Sequence, residues 1–256
     1  MKVVICGLAS NCADPMLTAL KQLLSCFARD EIIAVHIVES DSRDETVSYL
    51  KRIEQDNDFF SFSALGTLAD KLPNRVGRIH HCRQQYISWL RENCILSNCD
   101  IVMIVDFDIT FNQLNRERLD LLIRPVRSGQ FEAVFPNTKE LYYDLYALRC
   151  HGWVMSDIWK DVERFKRYMD YEKCLEAFVY SKQINLKGKG YLPVDSAFGG
   201  LGVYTAETFD NCCYGNDFPK TCEHVGLHKN IKLKHSAELA ISLDADLIVS
   251  PVEHLK

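Results

Sequence analysis

The sequence predicts an α/β fold with a mostly parallel central sheet flanked by helices, on three observations. Short apolar runs alternate with helical patterns from the first residues onward, the spacing of β-α-β units. Residues 101–105 read Ile-Val-Met-Ile-Val, an unbroken apolar run of the kind a strand buried on both faces needs. The 256 residues are 47% hydrophobic and 25% charged with no Pro/Gly/Ser-rich linker, so one core over residues 1–256 is expected.

Taken in order, residues 3–6 form a short apolar strand that ends in Gly7-Leu8-Ala9-Ser10-Asn11. Asp14-Pro15 then opens a helix carrying Leu17, Leu20, Leu24 and Phe27 at helical spacing. Residues 32–38 are a second strand, followed by the polar run Glu39 to Thr46 and a helix with Val47, Leu50 and Ile53 inward. A third strand is read at 59–65, a helix at 79–96 and the buried strand at 101–105. Residues 131–135 make a further strand, stopped by Pro136-Asn137. Residues 151–182 read as helical, with Lys160, Arg164, Lys166, Arg167 and Lys173 outward. Residues 187–190 and 195–202 read as loops, and 247–249 as a last strand.

The net charge of −5 argues against a nucleic-acid partner held by charge. Eleven cysteines, several within apolar runs, fit reduced buried thiols better than a disulfide scaffold, which implies a reducing, cytoplasmic setting. Lys2 and the apolar residues 3–9 make a poor secretion signal. No apolar run approaches the roughly 18 residues of a membrane span, so a transmembrane segment is not expected, while peripheral membrane association stays open.

Asp106-Phe107-Asp108 closes the most apolar strand. Residues i and i+2 of a strand share a face, so two carboxylates can converge on a hard cation such as Mg²⁺ or Mn²⁺ and leave positions for phosphate oxygens. The triplet alone carries little: with 20 Asp in the chain about 1.5 Asp-x-Asp triplets arise by chance, and three occur. Context separates them. The triplet at 56–58 lies at a polar helix end and that at 244–246 precedes a strand, whereas 106–108 follows one, where open α/β sheets bind ligands.

The order of these pieces resembles a glycosyltransferase of the GT-A type, a Rossmann-like α/β fold that uses sugar nucleotides. The resemblance rests on the first strand and its glycine loop, the acidic run after the second strand, the arginine helix around Arg83, Asp106-Phe107-Asp108, a glycine-rich loop and a late histidine. Asp195-Ser196-Ala197-Phe198-Gly199-Gly200-Leu201-Gly202 and Cys222-Glu223-His224-Val225-Gly226-Leu227-His228 are similar to the fungal capsule-associated α-1,3-mannosyltransferases and their bacterial and viral relatives. The fungal enzymes carry an N-terminal membrane anchor, and no such anchor is expected from these 256 residues.

That resemblance implies a donor half at 1–110 and an acceptor half at 111–256. Gly7, Ser10, Glu39, Asp41, Arg78, Arg83, Asp106 and Phe107 would contact the sugar nucleotide, and Asp41 or Asp44 may equally be read as a helix cap. Asp106, Asp108 and His228 would hold the metal, with His224 as the alternative; an imidazole ligand favours Mn²⁺ over Mg²⁺. Lys187 and Lys189 could add positive charge near phosphate or simply belong to an exposed loop. Asp195 and Glu223 are the candidate acceptor-side carboxylates, and Asp144, among Tyr142, Tyr143 and Tyr146, would bind sugar hydroxyls. The resemblance implies transfer of a hexose from a GDP- or UDP-sugar, mannose from GDP-mannose being the case it points to, onto a glycan acceptor; it tilts toward retention, while the residues themselves leave retention and inversion both open. The alternatives are a nucleotidyltransferase acting on sugar phosphates, whose glycine-rich signature with a following basic residue is missing after the first strand, and a sugar-nucleotide or glycan-binding module without turnover.

Overall fold

The computed structural model describes residues 1–215 and 221–251. The first half is built from β1 (Val3–Ala9), α1 (Ala13–Leu24), β2 (Ile32–Glu39), α2 (Thr46–Asp56), β3 (Phe60–Ala64), α3 (Arg75–Glu92) and β4 (Ile101–Asp106). The second half follows with α4 (Arg116–Arg127), β5 (Ala133–Thr138), α5 (Ile158–Phe165), α6 (Tyr171–Phe178), β6 (Tyr191–Val194), β7 (Leu201–Thr205), α7 (Thr208–Asn211), α8 (Glu223–His235) and β8 (Leu239–Ile248). All eight strands form one sheet in the order β3-β2-β1-β4-β7-β5-β8-β6. β1, β2, β3 and β4 run parallel, β5 and β8 pair in parallel, and β7 and β6 are antiparallel to their neighbours.

Alternation along the central strands divides the core into two layers. Val3 and Ile5 of β1 with Ile101, Met103 and Val105 of β4 face α1, α2 and α4. Val4, Cys6, Val102 and Ile104 face the layer that holds α3, α5, α6, α7 and α8. The unbroken apolar run of β4 is thus explained: every one of its five residues is inaccessible to solvent.

The chain moves outward from β1 to β2 and β3, then returns to the other side of β1 as β4. This reversal is the topological switch at which open α/β sheets leave a crevice beyond the strand ends. Register makes the crevice: Ala9 pairs with Glu39 and Leu8 with Asp106, so the loops after β1, β2 and β4 emerge side by side.

Several elements differ from the sequence reading. The third helix starts at Arg75 rather than 79, because Asn74 caps it by accepting a hydrogen bond from the Gly77 amide at 3.0 Å. The 151–182 region is two short helices. The stretch 195–202 is only partly loop, since β7 begins at Leu201. The last strand is ten residues long, and its interior carries Asp244 and Asp246. Asp246 pairs with Arg118 and Asp58 with Arg29, so the other two Asp-x-Asp triplets are each tied into the fold.

Candidate active site

Beyond the ends of β1, β2 and β4 lies a cleft of about 360 Å³, walled on its open side by α3. Its lining includes Ser10, Asn11, Asp41, Arg75, Arg78, Arg83, Asp106 and Asp108. The loops after β1 and β2 are stitched together. Ser10 Oγ donates to the Ser40 carbonyl at 2.8 Å, and the Arg43 amide donates to Asn11 Oδ1 at 2.8 Å. Asp44 Oδ2 accepts from the Ala13 amide at 3.1 Å and its Oδ1 accepts from the Thr46 amide at 3.0 Å, so one carboxylate serves the first turns of α1 and α2. Those amide bonds, with the Thr46 hydroxyl, hold the Asp44 carboxyl below its ordinary range despite burial.

Asp41 is therefore not the helix cap. It sits at φ 63°, accepts from the Ala69 amide at 2.8 Å and faces Arg78 Nε at 3.5 Å. Arg78 also donates to the carbonyls of Leu72 and Pro73, both at 2.9 Å, which fixes its guanidinium at the cleft wall. Glu39 is buried and accepts from the Ser42 amide at 2.9 Å; it shapes the loop and is not among the cleft-lining residues.

The deepest part of the site is an ionic cluster. Arg83 is only 3% exposed; its Nη2 contacts both carboxylate oxygens of Asp106, at 3.0 and 3.1 Å, and its Nε donates to Glu223 Oε1 at 2.9 Å. Behind it, Tyr86 and Tyr214 share a short hydroxyl–hydroxyl bond. Burial pushes the Asp106 carboxyl up to about 7, with Arg83 opposing and Asp108 and Glu223 adding to the rise. Asp108 stands exposed two residues on, beyond the buried Phe107. Asp144 accepts from the amides of Gly199 at 2.9 Å and Ala147 at 3.3 Å; burial raises its carboxyl, those amides oppose, Glu223 adds to the rise and Arg83 opposes it.

Other expected site residues lie elsewhere. Phe107 is a core residue with no accessible surface, and Gly7 is the position over which its ring packs: a Cβ there would meet Val105 O at 2.4 Å and Phe107 Cε2 at 2.5 Å. Asp195 is exposed and paired with Lys232. Because β6 is antiparallel to β8, with Val194 opposite Leu239, Asp195 leaves the sheet at the end opposite Asp106. His228 is fully buried, its Nδ1 shared with Ser196 Oγ at 2.8 Å and its Nε2 with Tyr204 OH at 3.0 Å. With both ring nitrogens engaged it is not free to ligate a cation beside Asp106 and Asp108, and burial pushes its pKa down to about 3. His224 is closer, with Nε2 3.8 Å from Glu223 Oε1, but its ring stacks on Phe198 at 3.7 Å, and burial, then Arg83, hold it neutral. Lys187 and Lys189 are exposed loop residues.

The sequence reading missed Arg75, an exposed cleft residue that makes no ion pair among the described residues. The Asn74 cap was the available signal. It puts Arg75 and Arg78 on the first turn of α3, where a helix N-terminus already favours anions.

The donor set was tested for a divalent cation. Among the described residues no three His, Cys, Asp or Glu side chains stand together as a closed shell. Two carboxylates, Asp106 and Asp108, do line the cleft, with Arg75 and Arg78 in the same lining and Arg83 engaged by Asp106 and by the buried Glu223. That suits a cation bound by one or two carboxylates that takes its remaining ligands from phosphate and water.

The sheet order, the switch-point cleft and the carboxylates at the end of β4 define the GT-A glycosyltransferase fold, α/β with a mostly parallel sheet flanked by helices. Solved structures share it. TarS of S. aureus, residues 1–349 in complex with UDP, superposes with a TM-score of 0.58 at 12% identity over 98% of this chain and 60% of that one. The same protein with UDP-GlcNAc gives 0.56 at 12%, over 98% and 58%. The mannosyltransferase PcManGT from Pyrobaculum calidifontis, in complex with GDP-Man and Mn²⁺, gives 0.54 at 16%, over 97% and 56%. The chain thus spans 60% or less of the length of these proteins. No protein-family model and no curated protein matches the sequence.

Proposed function

We propose that this protein is a glycosyltransferase that takes a hexose from a GDP- or UDP-sugar and moves it to a glycan acceptor. The observation that carries the reading is the cleft itself: Arg75 and Arg78 at the first turn of α3 face Asp106 and Asp108 across a switch-point crevice. Cationic groups for a diphosphate and carboxylates for a cation are thereby brought to one volume of nucleotide size. The UDP, UDP-GlcNAc and GDP-Man complexes of the structural neighbours support the same ligand class. The similarity of residues 195–202 and 222–228 to the capsule-associated mannosyltransferases favours GDP-mannose and retention.

In this reading residues 1–110 hold the donor and 111–256 the acceptor. Asp108 and Asp106 would hold Mn²⁺ or Mg²⁺, which when bound supplies positive charge to the departing diphosphate. Arg75 and Arg78 orient the phosphates, and Ser10 and Asp41 meet the nucleoside. Arg83 opposes the burial that raises the Asp106 carboxyl and holds both Asp106 and Glu223 in place. Asp144, poised by two backbone amides, faces the sugar or the acceptor hydroxyl. The eleven cysteines, all described and none disulfide-bonded, support a reducing compartment such as the cytoplasm.

The test is a thermal-shift and calorimetric screen of UDP, GDP, UDP-GlcNAc and GDP-mannose with and without Mn²⁺, followed by donor turnover. A ligand at 100 times its dissociation constant raises stability by about 2.7 kcal/mol. Metal-dependent binding lost in Asp108→Ala and Arg78→Ala, with release of nucleoside diphosphate, is the expected outcome. Absence of any shift refutes the reading, and tight binding without release converts it to a binding module.

A further inference from the structure

Seven large hydrophobic side chains are exposed among the described residues, and six of them fall between 155 and 184: Met155, Trp159, Tyr168, Met169, Tyr171 and Ile184. Such concentration in one segment is not the scatter expected of an ordinary surface. The segment is the helix pair α5 and α6, held to the protein by Ile158, Val162, Cys174 and Leu175 and closed on itself by Phe165 stacked on Phe178 at 5.0 Å. Its connection reads Lys166-Arg167-Tyr168-Met169-Asp170, with Tyr168 83% exposed at the tip.

Charge follows the same segment. Across residues 155–184 six Lys and Arg meet six Asp and Glu, but the connection between the helices is basic: residues 164–169 hold Arg164, Lys166 and Arg167 and no acid. Of the six acids, Asp157 and Asp170 cap α5 and α6, Glu163 pairs with Lys166 and Asp161 accepts from Ser156 Oγ, while Glu172 and Glu176 lie exposed on α6. Lys160, Arg164, Arg167 and Lys173 are exposed and make no ion pair among the described residues.

We infer that the α5–α6 pair docks the protein onto an anionic phospholipid surface. Exposed aromatic and thioether side chains beside Lys and Arg that make no ion pair among the described residues match what a headgroup boundary accepts: apolar groups inserted shallowly, with cations on the lipid phosphates. This inference is independent of the sugar-nucleotide reading, since none of these residues lines the cleft.

The test is sedimentation of the full chain with vesicles of phosphatidylcholine alone or with about one third phosphatidylglycerol. Wild type binds the anionic vesicles, and binding weakens as salt is raised to about 0.5 M. At roughly fivefold per basic residue, Arg164→Glu with Arg167→Glu weakens binding about 30-fold. Tyr168→Ser with Met169→Ser weakens it at least about tenfold. Both pairs are surface changes made independently, so a folding failure in one leaves the other decisive. Equal binding to neutral and anionic vesicles, or no loss in either folded variant, overturns the inference. So does binding to a soluble anionic polysaccharide or self-association through this face with no vesicle binding. Nucleotide binding retained in both variants separates this outcome from failure of the proposed function.

Discussion

Arg83→Met is the most informative perturbation of the site. The guanidinium bridges Asp106 and Glu223 at 2.9–3.1 Å while only 3% exposed, so methionine preserves much of its volume and removes its charge. Breaking a buried ion pair by deleting one partner costs about 3–5 kcal/mol, because the remaining charges stay desolvated. For a chain of this size, at roughly 2–4 °C per kcal/mol, the melting temperature falls by about 6–20 °C near pH 8. The sign of the pH dependence follows. Burial already raises the Asp106 carboxyl and Arg83 opposes that rise, so without Arg83 the folded state binds still more protons than the unfolded one and stability falls as pH rises. The defect is therefore largest near pH 8 and shrinks toward about pH 5 as Asp106 protonates. Urea unfolding at several pH values, with an unchanged slope, reads this directly. Adding Glu223→Gln to Arg83→Met restores part of the loss. A loss below about 1 kcal/mol that is the same at every pH refutes the claim that this cluster is a charge-balanced unit.

Three further outcomes follow from the geometry. Gly7→Ala destabilises by about 1–3 kcal/mol and is not rescued by Phe107→Leu, because the nearer clash is with the backbone carbonyl of Val105; paired thermal melts decide it. His228→Ala lowers stability by about 2–4 kcal/mol through loss of a buried ring and its two hydrogen bonds, yet leaves Mn²⁺ affinity by calorimetry unchanged. On the proposed metal reading, an Asp106 carboxyl pushed up to about 7 makes protons compete with the cation, so Mn²⁺ affinity is expected to fall as pH drops through about 7, approaching tenfold per unit, with the dependence lost in Asp106→Asn.

The strand-and-helix frame was readable where pattern is local. β1, β2 and β4 carry apolar runs bounded by glycine or acidic residues, and the carboxylates at the end of β4 could be placed because a fully buried strand stops at Asp106. β7 was hidden because Gly202 interrupts its pattern; the ring of Tyr204 packs over that glycine, at 2.6 Å from where a Cβ would be, a contact no local rule foresees. Arg83 was read as a phosphate ligand because a helix arginine near the cleft suits that role. In the structure its guanidinium is taken up by Asp106, 23 residues away, and by Glu223, 140 residues away in sequence. His224 and His228, four apart on α8, look like a ligand pair, but both point into the core. Asp195 was misplaced for lack of a strand direction: its distance from the cleft follows once β6 is known to be antiparallel.

The insertion of antiparallel β7 between β4 and β5 explains how the two ends of the site are coupled. The chain entering β7 passes close to the end of β4, and Gly200 accepts a hydrogen bond from the Asp106 amide at 2.9 Å. One residue earlier, the Gly199 amide donates to Asp144 at 2.9 Å. Both glycines have positive φ, and a Cβ on Gly200 would stand 2.5 Å from Ile109 Cγ2, so a side chain here would push the turn away from β4. Asp106 is thus fixed from both sides, by register with Leu8 of β1 and by the turn that precedes β7. Asp144 is fixed by that same turn. A substitution at Gly199 or Gly200 is therefore expected to displace both carboxylates at once.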